Sequence, residues 1–364
     1  MIPAFTVRPF ALGRAAFTTL AFACLAGCGQ SSSPTSAPGT PPAPTTFALL
    51  AATVADVPAA FRGEQVGAEG QTLNCVALAE LYLARIDALD NSTDTGLPIS
   101  SIVSLNPLWR EQAEALDATF DTSGPAGPLH CVPVLLKDLY DTFDFPTTAS
   151  SLALAGSQPP DDAFTVARLR EAGALILGKA GMSEYAYWTQ SFNSVSQRIG
   201  TPYNTAMDAG GSSGGTAAAI AANFAVLGTG SDTCASIRLP PSNNGLVGVR
   251  SSVGLVSQDG LVPLSHSMDV GGPITRSVRD AALMLDAMAG VDTADIRTQD
   301  PERAQPATYT AHLNEQGLAG RRIGVLRSYG GTDAFGSNAD VNAIMEQAIA
   351  DIAAAGAEIV DPVE

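Results

Sequence analysis

Three short apolar runs constrain this chain more than anything else in it: VPVLL before Lys137, ALILG at 174–178 and VLGTG at 226–230. Each is continuous rather than alternating and only five residues long. VPVLL reads as a buried strand, and ALILG and VLGTG read as strands. Helical rhythms separate them. Ala163 to Ala172 precedes the second run, and the small-residue segment Thr216 to Ala225 precedes the third. Upstream, Cys75 to Ala88 places Val76, Leu78, Leu81, Leu83 and Ile86 at mostly helical spacing, with Thr72 or Asn74 as the cap. Downstream, 276–289 reads as a helix, Arg322 to Arg327 as a strand, Ala339 to Ala354 as a helix and Glu358 to Val360 as a strand. Strands alternating with helices predict an α/β sheet with helices on its faces.

Composition agrees and excludes some functions. Hydrophobic residues make up 46% and charged residues 15% of 364, ample for a core. The net charge of −17 disfavours a nucleic-acid partner. Three histidines, His130, His266 and His312, are too few for a His-rich metal cage. Five cysteines in so long a chain are not a disulfide scaffold. Only two lysines are present, Lys137 and Lys179, so each is worth a question.

The first residues read as an address. Arg8 and Arg14, with no acid nearby, precede an apolar stretch too short to span a bilayer. It ends in Leu25-Ala26-Gly27-Cys28, which resembles a bacterial lipobox. Residues 1–27 are therefore expected to be a lipoprotein signal peptide. Cys28 would be lipidated and anchor the exported chain to a membrane. A simple cleavage after a small residue is the alternative. Residues 28–46, rich in Ser, Pro, Thr and Gly, are expected to be a disordered tether, with the folded domain running over 47–364. The chain stops at Glu364 directly after a strand, which reads as a βαβ unit cut short.

Two glycine-rich segments carry serines: AGGSSGGT, Ala209 to Thr216, and GTGSDTCASIRLP, Gly228 to Pro240. Taken alone, such segments are more often turns than active sites, and a lone Lys137 is more often a snorkelling surface lysine. The apolar run before Lys137 instead buries its stem. Burial favours the neutral amine that a general base needs. An unshifted lysine would be neutral only about once in several thousand molecules at neutral pH.

The ordered set GPLHCVPVLLKD (Gly127 to Asp138), DAFTVARLREAGALILGKAGMSEYA (Asp162 to Ala186), GGSSGG (Gly210 to Gly215), GSDTCASIR (Gly230 to Arg238), GLVGVRSSVGLVS (Gly245 to Ser257) and DVGGPITRSVRDAALMLDAMAG (Asp269 to Gly290) resembles the amidase signature family. The resemblance covers roughly residues 50 to 364. It implies a single large domain with a mixed twisted sheet covered by helices on both faces. It also implies a Ser-Ser-Lys triad: Ser236 as nucleophile, Ser212 as the bridging serine, Lys137 as base. The backbone N–H groups of Thr233, Cys234, Ala235 and Ser236 would hold the oxyanion, each well-aimed donor being worth about 3 kcal/mol of barrier. Ser213 would support Lys137 by a hydrogen bond, and Asp232 with Arg238 would fix the turn. The activity implied is hydrolysis of a small-molecule amide, with no metal and no organic cofactor. The oligomeric state is not legible in it.

The chain departs from the family where Cys131 and Ala235 replace its usual glycines, and at Cys234, where glycine is common. An alanine there adds a methyl but leaves the backbone donors. Cys131 and Cys234 are read as buried free thiols, with a disulfide between them as the alternative in an oxidising compartment. Cys75 is read as core.

Other readings are weaker. Gly210 to Gly214 fits the G-x-S-x-G elbow of α/β-hydrolases, with Ser212 attacking and His266 or His312 in its triad. The segment before it is polar and turn-rich where that fold needs a strand, so the three histidines are read as structural or exposed. GALILGKA (Gly173 to Ala180) approaches a phosphate loop, but Ala180 lacks the metal-binding hydroxyl. Lys179 is then a surface or strand-end lysine. A lipid-anchored binding protein that kept the fold and lost catalysis is a further alternative. The family's ammonia-delivering subunit for transfer-RNA-linked glutamate is opposed by the export signal and the acidity.

Overall fold

The continuous apolar runs become the middle of a sheet. The computed structural model describes residues 43–363 apart from positions 95, 303–307, 330, 331, 334 and 337. The expected signal peptide over 1–27, the expected lipidation site Cys28 and most of the expected tether lie outside the described residues. From Ala43 on, the chain forms one compact unit.

The elements in chain order are β1 (Thr45–Thr46), α1 (Asp56–Phe61), β2 (Gln65–Val66), α2 (Cys75–Leu89), β3 (Ile102–Leu105), α3 (Trp109–Ser123) and β4 (Pro133–Lys137). Next come α4 (Phe164–Glu171), β5 (Leu175–Ala180), β6 (Phe192–Asn193), β7 (Gln197–Arg198), β8 (Gly200–Thr201), β9 (Asn204–Asp208) and α5 (Gly214–Ala221). They are followed by β10 (Leu227–Asp232), α6 (Leu239–Asn243), β11 (Val247–Gly248), β12 (Val270–Thr275) and α7 (Val278–Met288). The last are β13 (Arg322–Gly324), β14 (Ser328–Tyr329), β15 (Thr332–Asp333), α8 (Ala339–Ala354) and β16 (Glu358–Val360).

Among the described residues six strands form the central sheet, in the order β11-β12-β10-β4-β5-β3. The three apolar runs are its parallel heart, β10-β4-β5. β12 and β3 flank it antiparallel, so the sheet is mixed. Every residue of β4, β5, β10 and β12 is buried, as continuous apolar strands require. β13 and β16 pair with each other in a separate small sheet rather than joining this one.

Small residues let α5 approach β10. A side chain at Gly228 would collide with Thr216 and Ile220 of α5, and one at Gly215 would strike the backbone of Gly181. Helix α2 starts where its cap is strongest: Asn74 accepts from the amide of Ala77 at 2.8 Å, and the Asp117 carboxylate of α3 accepts from that of Cys75 at 2.7 Å.

Two expectations need correction here. Thr45 and Thr46, placed in the tether, pair in parallel with Gln65 and Val66, because the amide of Thr45 finds the carbonyl of Glu64. The cysteine pairing differs as well: Cys75 is bonded to Cys131, their Cα atoms 5.3 Å apart, and Cys234 is free and exposed. Cys131 follows the long loop that leads into β4 and takes φ +61°. That left-handed conformation explains why glycine suits the position. It also brings the cysteine to the first residue of α2.

Candidate active site

Lys137 is the last residue of β4 and is completely buried, facing Ala180 across the ladder. Its amide donates to Thr229 Oγ1 at 2.9 Å, which locks the strand end to β10. The side chain then reaches the other end of β10. Lys137 Nζ donates to Ser212 Oγ at 2.7 Å, to Ser231 Oγ at 2.9 Å and to Ser231 O at 3.3 Å. Three partners satisfy an ammonium. In the neutral amine, two N–H bonds to Ser231 leave the lone pair facing Ser212. Burial pulls the Lys137 amine down to about 7, against the opposing charges of Asp232 and Asp269. The neutral form is therefore well populated at physiological pH.

Ser212 is held from both sides of its loop. Its carbonyl accepts from the amide of Ser183 at 3.0 Å. Upstream, Gly210 takes φ +82°, its amide bonded to Asp208 and its carbonyl to Ser191 Oγ. A side chain at Gly211 would collide with Ser183 and with the backbone around Trp188 and Thr189. The loop's glycines are thus dictated by close approach and by one left-handed residue.

Strand β10 ends on Asp232, whose buried carboxylate gathers the next turn. It accepts from the amide of Ile237 at 3.0 Å and from Arg238 Nε at 3.1 Å, and pairs with Arg250 Nε at 3.4 Å. Arg238 also donates to the carbonyl of Cys234. The chain is forced to wrap residues 233–236 around this anchor. Among the described residues, the amides of Thr233, Cys234, Ala235 and Ser236 find no protein acceptor. Four consecutive free donors are what a turn that receives a negatively charged oxygen needs. Neither Cys234 nor Ala235 takes a left-handed φ, so the methyl of Ala235 is accommodated. Ser236 is 8% exposed and its hydroxyl has no hydrogen-bond partner among the described residues, Ser212 included. Beside the turn, Thr233 Oγ1 donates to Asp269, and a cavity of about 30 Å³ opens between Ser231, Thr233, Asp269 and Leu261. That is room for about one water molecule.

The model of the Amidase family matches residues 77–363. The chain belongs to the amidase family. Among curated relatives, this amidase-family chain is 38% identical to a Glutamyl-tRNA(Gln) amidotransferase subunit from Paraburkholderia phytofirmans over 299 residues, 79% of this chain and 57% of that protein. Among solved structures, the native peptide amidase from Stenotrophomonas maltophilia superposes with a TM-score of 0.78 at 39% identity, covering 86% of this chain and 62% of that one. An amidase family protein from Bacillus anthracis str. Ames gives 0.75 at 32% identity, over 87% and 61% of the two chains. The chain thus spans less than two thirds of the length of these relatives.

Of the residues expected from the amidase pattern, Lys137 and Ser212 come into contact, and Asp232 pairs with Arg238 at the turn. Ser213 is a correction. Its hydroxyl meets the carbonyl and the amide of Ser231, at 3.3 and 3.4 Å, and Lys137 is not its partner. Ser231, which the sequence reading missed, holds the amine instead. Lys179 does lie at a strand end, one residue before the last of β5, but it is fully buried rather than on the surface. His130 is buried between Phe61 and Phe120, while His266 and His312 are exposed. A strand, β9, does precede Ser212, but it belongs to a two-stranded hairpin with β8 and not to the central sheet.

Proposed function

We propose that this amidase-family chain hydrolyses a linear carboxamide to a carboxylate plus ammonia or an amine through an acyl-enzyme on Ser236. The observation that carries the reading is the buried Lys137 amine seated on the Ser212 hydroxyl. Neutral Lys137 takes the proton of Ser212 as Ser212 takes that of Ser236. Ser236 Oγ bonds to the amide carbon, and the oxygen's developing charge enters the free amides of Thr233 to Ser236. The same relay returns the proton to the leaving nitrogen as the C–N bond breaks. Water, for which the cavity beside Thr233 offers room, then cleaves the ester.

The relative from Stenotrophomonas maltophilia, a peptide amidase, puts peptide amides first in a substrate panel. Net charge of −17 supports a free small amide over a substrate carried on RNA. A lipobox ending at Cys28 supports export and anchoring, and the Cys75–Cys131 disulfide supports an oxidising compartment.

The test is ammonia release from a panel of amides, with Ser236→Ala as control. Release by the parent and none by the variant is expected. No release from any amide would favour a binding protein of the same fold. Cys28→Ser should free the protein from membranes, and unchanged fractionation would refute lipidation.

A further inference from the structure

The chain has two lysines, and every other one of its 19 basic side chains is arginine. Both lysines are fully buried, on neighbouring parallel strands of the central sheet. Arginine cannot replace lysine where a compact cation on a flexible stem is needed in the interior. The mechanism above uses Lys137 and leaves Lys179 without a task, although an isolated buried ammonium is costly to keep.

Its surroundings supply one. Lys179 Nζ donates to Thr147 Oγ1 at 2.8 Å and to the carbonyl of Pro146 at 3.2 Å, and lies 4.8 Å from the centre of the Phe145 ring. All three partners belong to one segment, residues 145–147. Four carboxyl groups face the ammonium: Asp138, Asp141, Asp144 and Asp162. Among the described residues, none comes within ion-pair distance. The lysine therefore grips a loop rather than an acid.

That loop leads straight to the base. Thr148, next to Thr147, donates through its amide and its hydroxyl to the buried carboxylate of Asp138, and the Ser150 amide adds a third bond at 2.7 Å. Asp138 adjoins Lys137, and its own amide donates to the carbonyl of Ala180, the neighbour of Lys179. The circuit closes: Lys179 to Thr147, Thr148 to Asp138, Asp138 to Ala180. A branch runs from the Thr147 hydroxyl to the carbonyl of Tyr140, whose own hydroxyl donates at 2.7 Å to Gly230, one residue before Ser231. Both the backbone and the amine end of Lys137 are thus tied to the grip of Lys179.

We propose that Lys179 is a positioning residue for Lys137, its ammonium clamping the 145–150 loop that fixes Asp138 and the strand end carrying the base. The catalytic role of Lys137 rests on the hydrolytic reading; the clamp itself does not.

Two lysines make the test direct, because lysine labelled with 13C at Cε gives two signals, assigned by Lys137→Ala and Lys179→Met. Loosening the clamp should admit water to Lys137, which Asp232 and Asp269 face, and return it toward its ordinary value. In Lys179→Met the Lys137 midpoint should rise by at least about 0.3 pH unit, and in Thr147→Val, which removes the gripped hydroxyl and keeps every charge, it should rise likewise. Turnover should fall on the order of tenfold to a hundredfold with little change in KM, as misplacement of a reacting group requires. A midpoint that moves by less in the variants that fold overturns the proposal, whatever turnover does. If Ser236→Ala leaves hydrolysis intact, the hydrolytic reading fails, while the lysine signals still decide the clamp.

Discussion

Ser231 meets the Lys137 amine twice, through its hydroxyl at 2.9 Å and its carbonyl at 3.3 Å, and so turns the third direction of that nitrogen onto Ser212. Ser231→Ala keeps the carbonyl and removes the hydroxyl. The amine gains freedom to rotate away from Ser212, so kcat should fall on the order of tenfold to a hundredfold with KM nearly constant. Steady-state kinetics on a cleaved amide decide it. An unchanged kcat would take Ser231 out of the catalytic geometry.

Lys137 links activity and stability through one proton. Burial holds its folded value at about 7, below the ordinary 10.5. Between those values the unfolded chain binds more protons, so the stability contributed by this group is full above the ordinary value and is lost as pH falls toward 7. Thermal melts of the parent should therefore rise from neutral to alkaline pH. Lys137→Met should flatten that rise, leaving the smaller contribution of Lys179, whose folded value is about 8. In the parent, kcat/KM should climb through pH near 7 as the amine becomes neutral, and the variant should be inactive. A melt profile that the substitution leaves untouched would contradict a charge-free lysine in the core.

A fluorophosphonate serine trap should label Ser236, whose hydroxyl, like the amides beside it, has no hydrogen-bond partner among the described residues. Mass spectrometry of the labelled peptides locates the adduct. Labelling on Ser212 instead would favour the elbow reading with a histidine partner.

The Cys75–Cys131 bond ties the start of α2 to the approach to β4. Cys131→Ala loses the bond and keeps a side chain at φ +61°, so it should destabilise by about 2–5 kcal/mol. Cys131→Gly should recover part of that, since glycine adopts the conformation without strain. Denaturant melts with and without a thiol reductant test both. A parent indifferent to reductant would show that the link contributes nothing.

The parallel heart of the central sheet, β4, β5 and β10, was legible as short, largely apolar runs, whereas β3, β11 and β12 were not read as strands, being short, half-buried or glycine-rich. Lys137 and Ser212 were legible through the resemblance to the amidase signature family; the apolar run before the lysine added a local cause, burial of its stem, while the glycines around the serine alone read as a turn. Ser231 was missed, yet a signal existed. Thr229 and Ser231 alternate with Gly228 and Gly230, so two hydroxyls line one face of β10 and reach the lysine of the next strand. Lys179 was read as a surface or strand-end lysine; the strand end is right, and the burial could have been read from LILGK, which repeats the pattern of VLLK. The disulfide could not be read, because its partners lie 56 residues apart and only the folding of α2 against the β4 approach brings them together. The small C-terminal sheet was read as strands, but nothing in three-residue runs says which sheet they join.

A protein whose only two lysines are sealed in its core offers no side-chain amine to the outside. Acylating dyes, aldehyde fixatives and amine-coupled sensor surfaces would find no lysine of this chain to react with. A folded sample should pass through such reagents nearly unmarked. The moment its core opens, it should take up two equivalents, so the extent of acylation becomes a count of unfolded molecules.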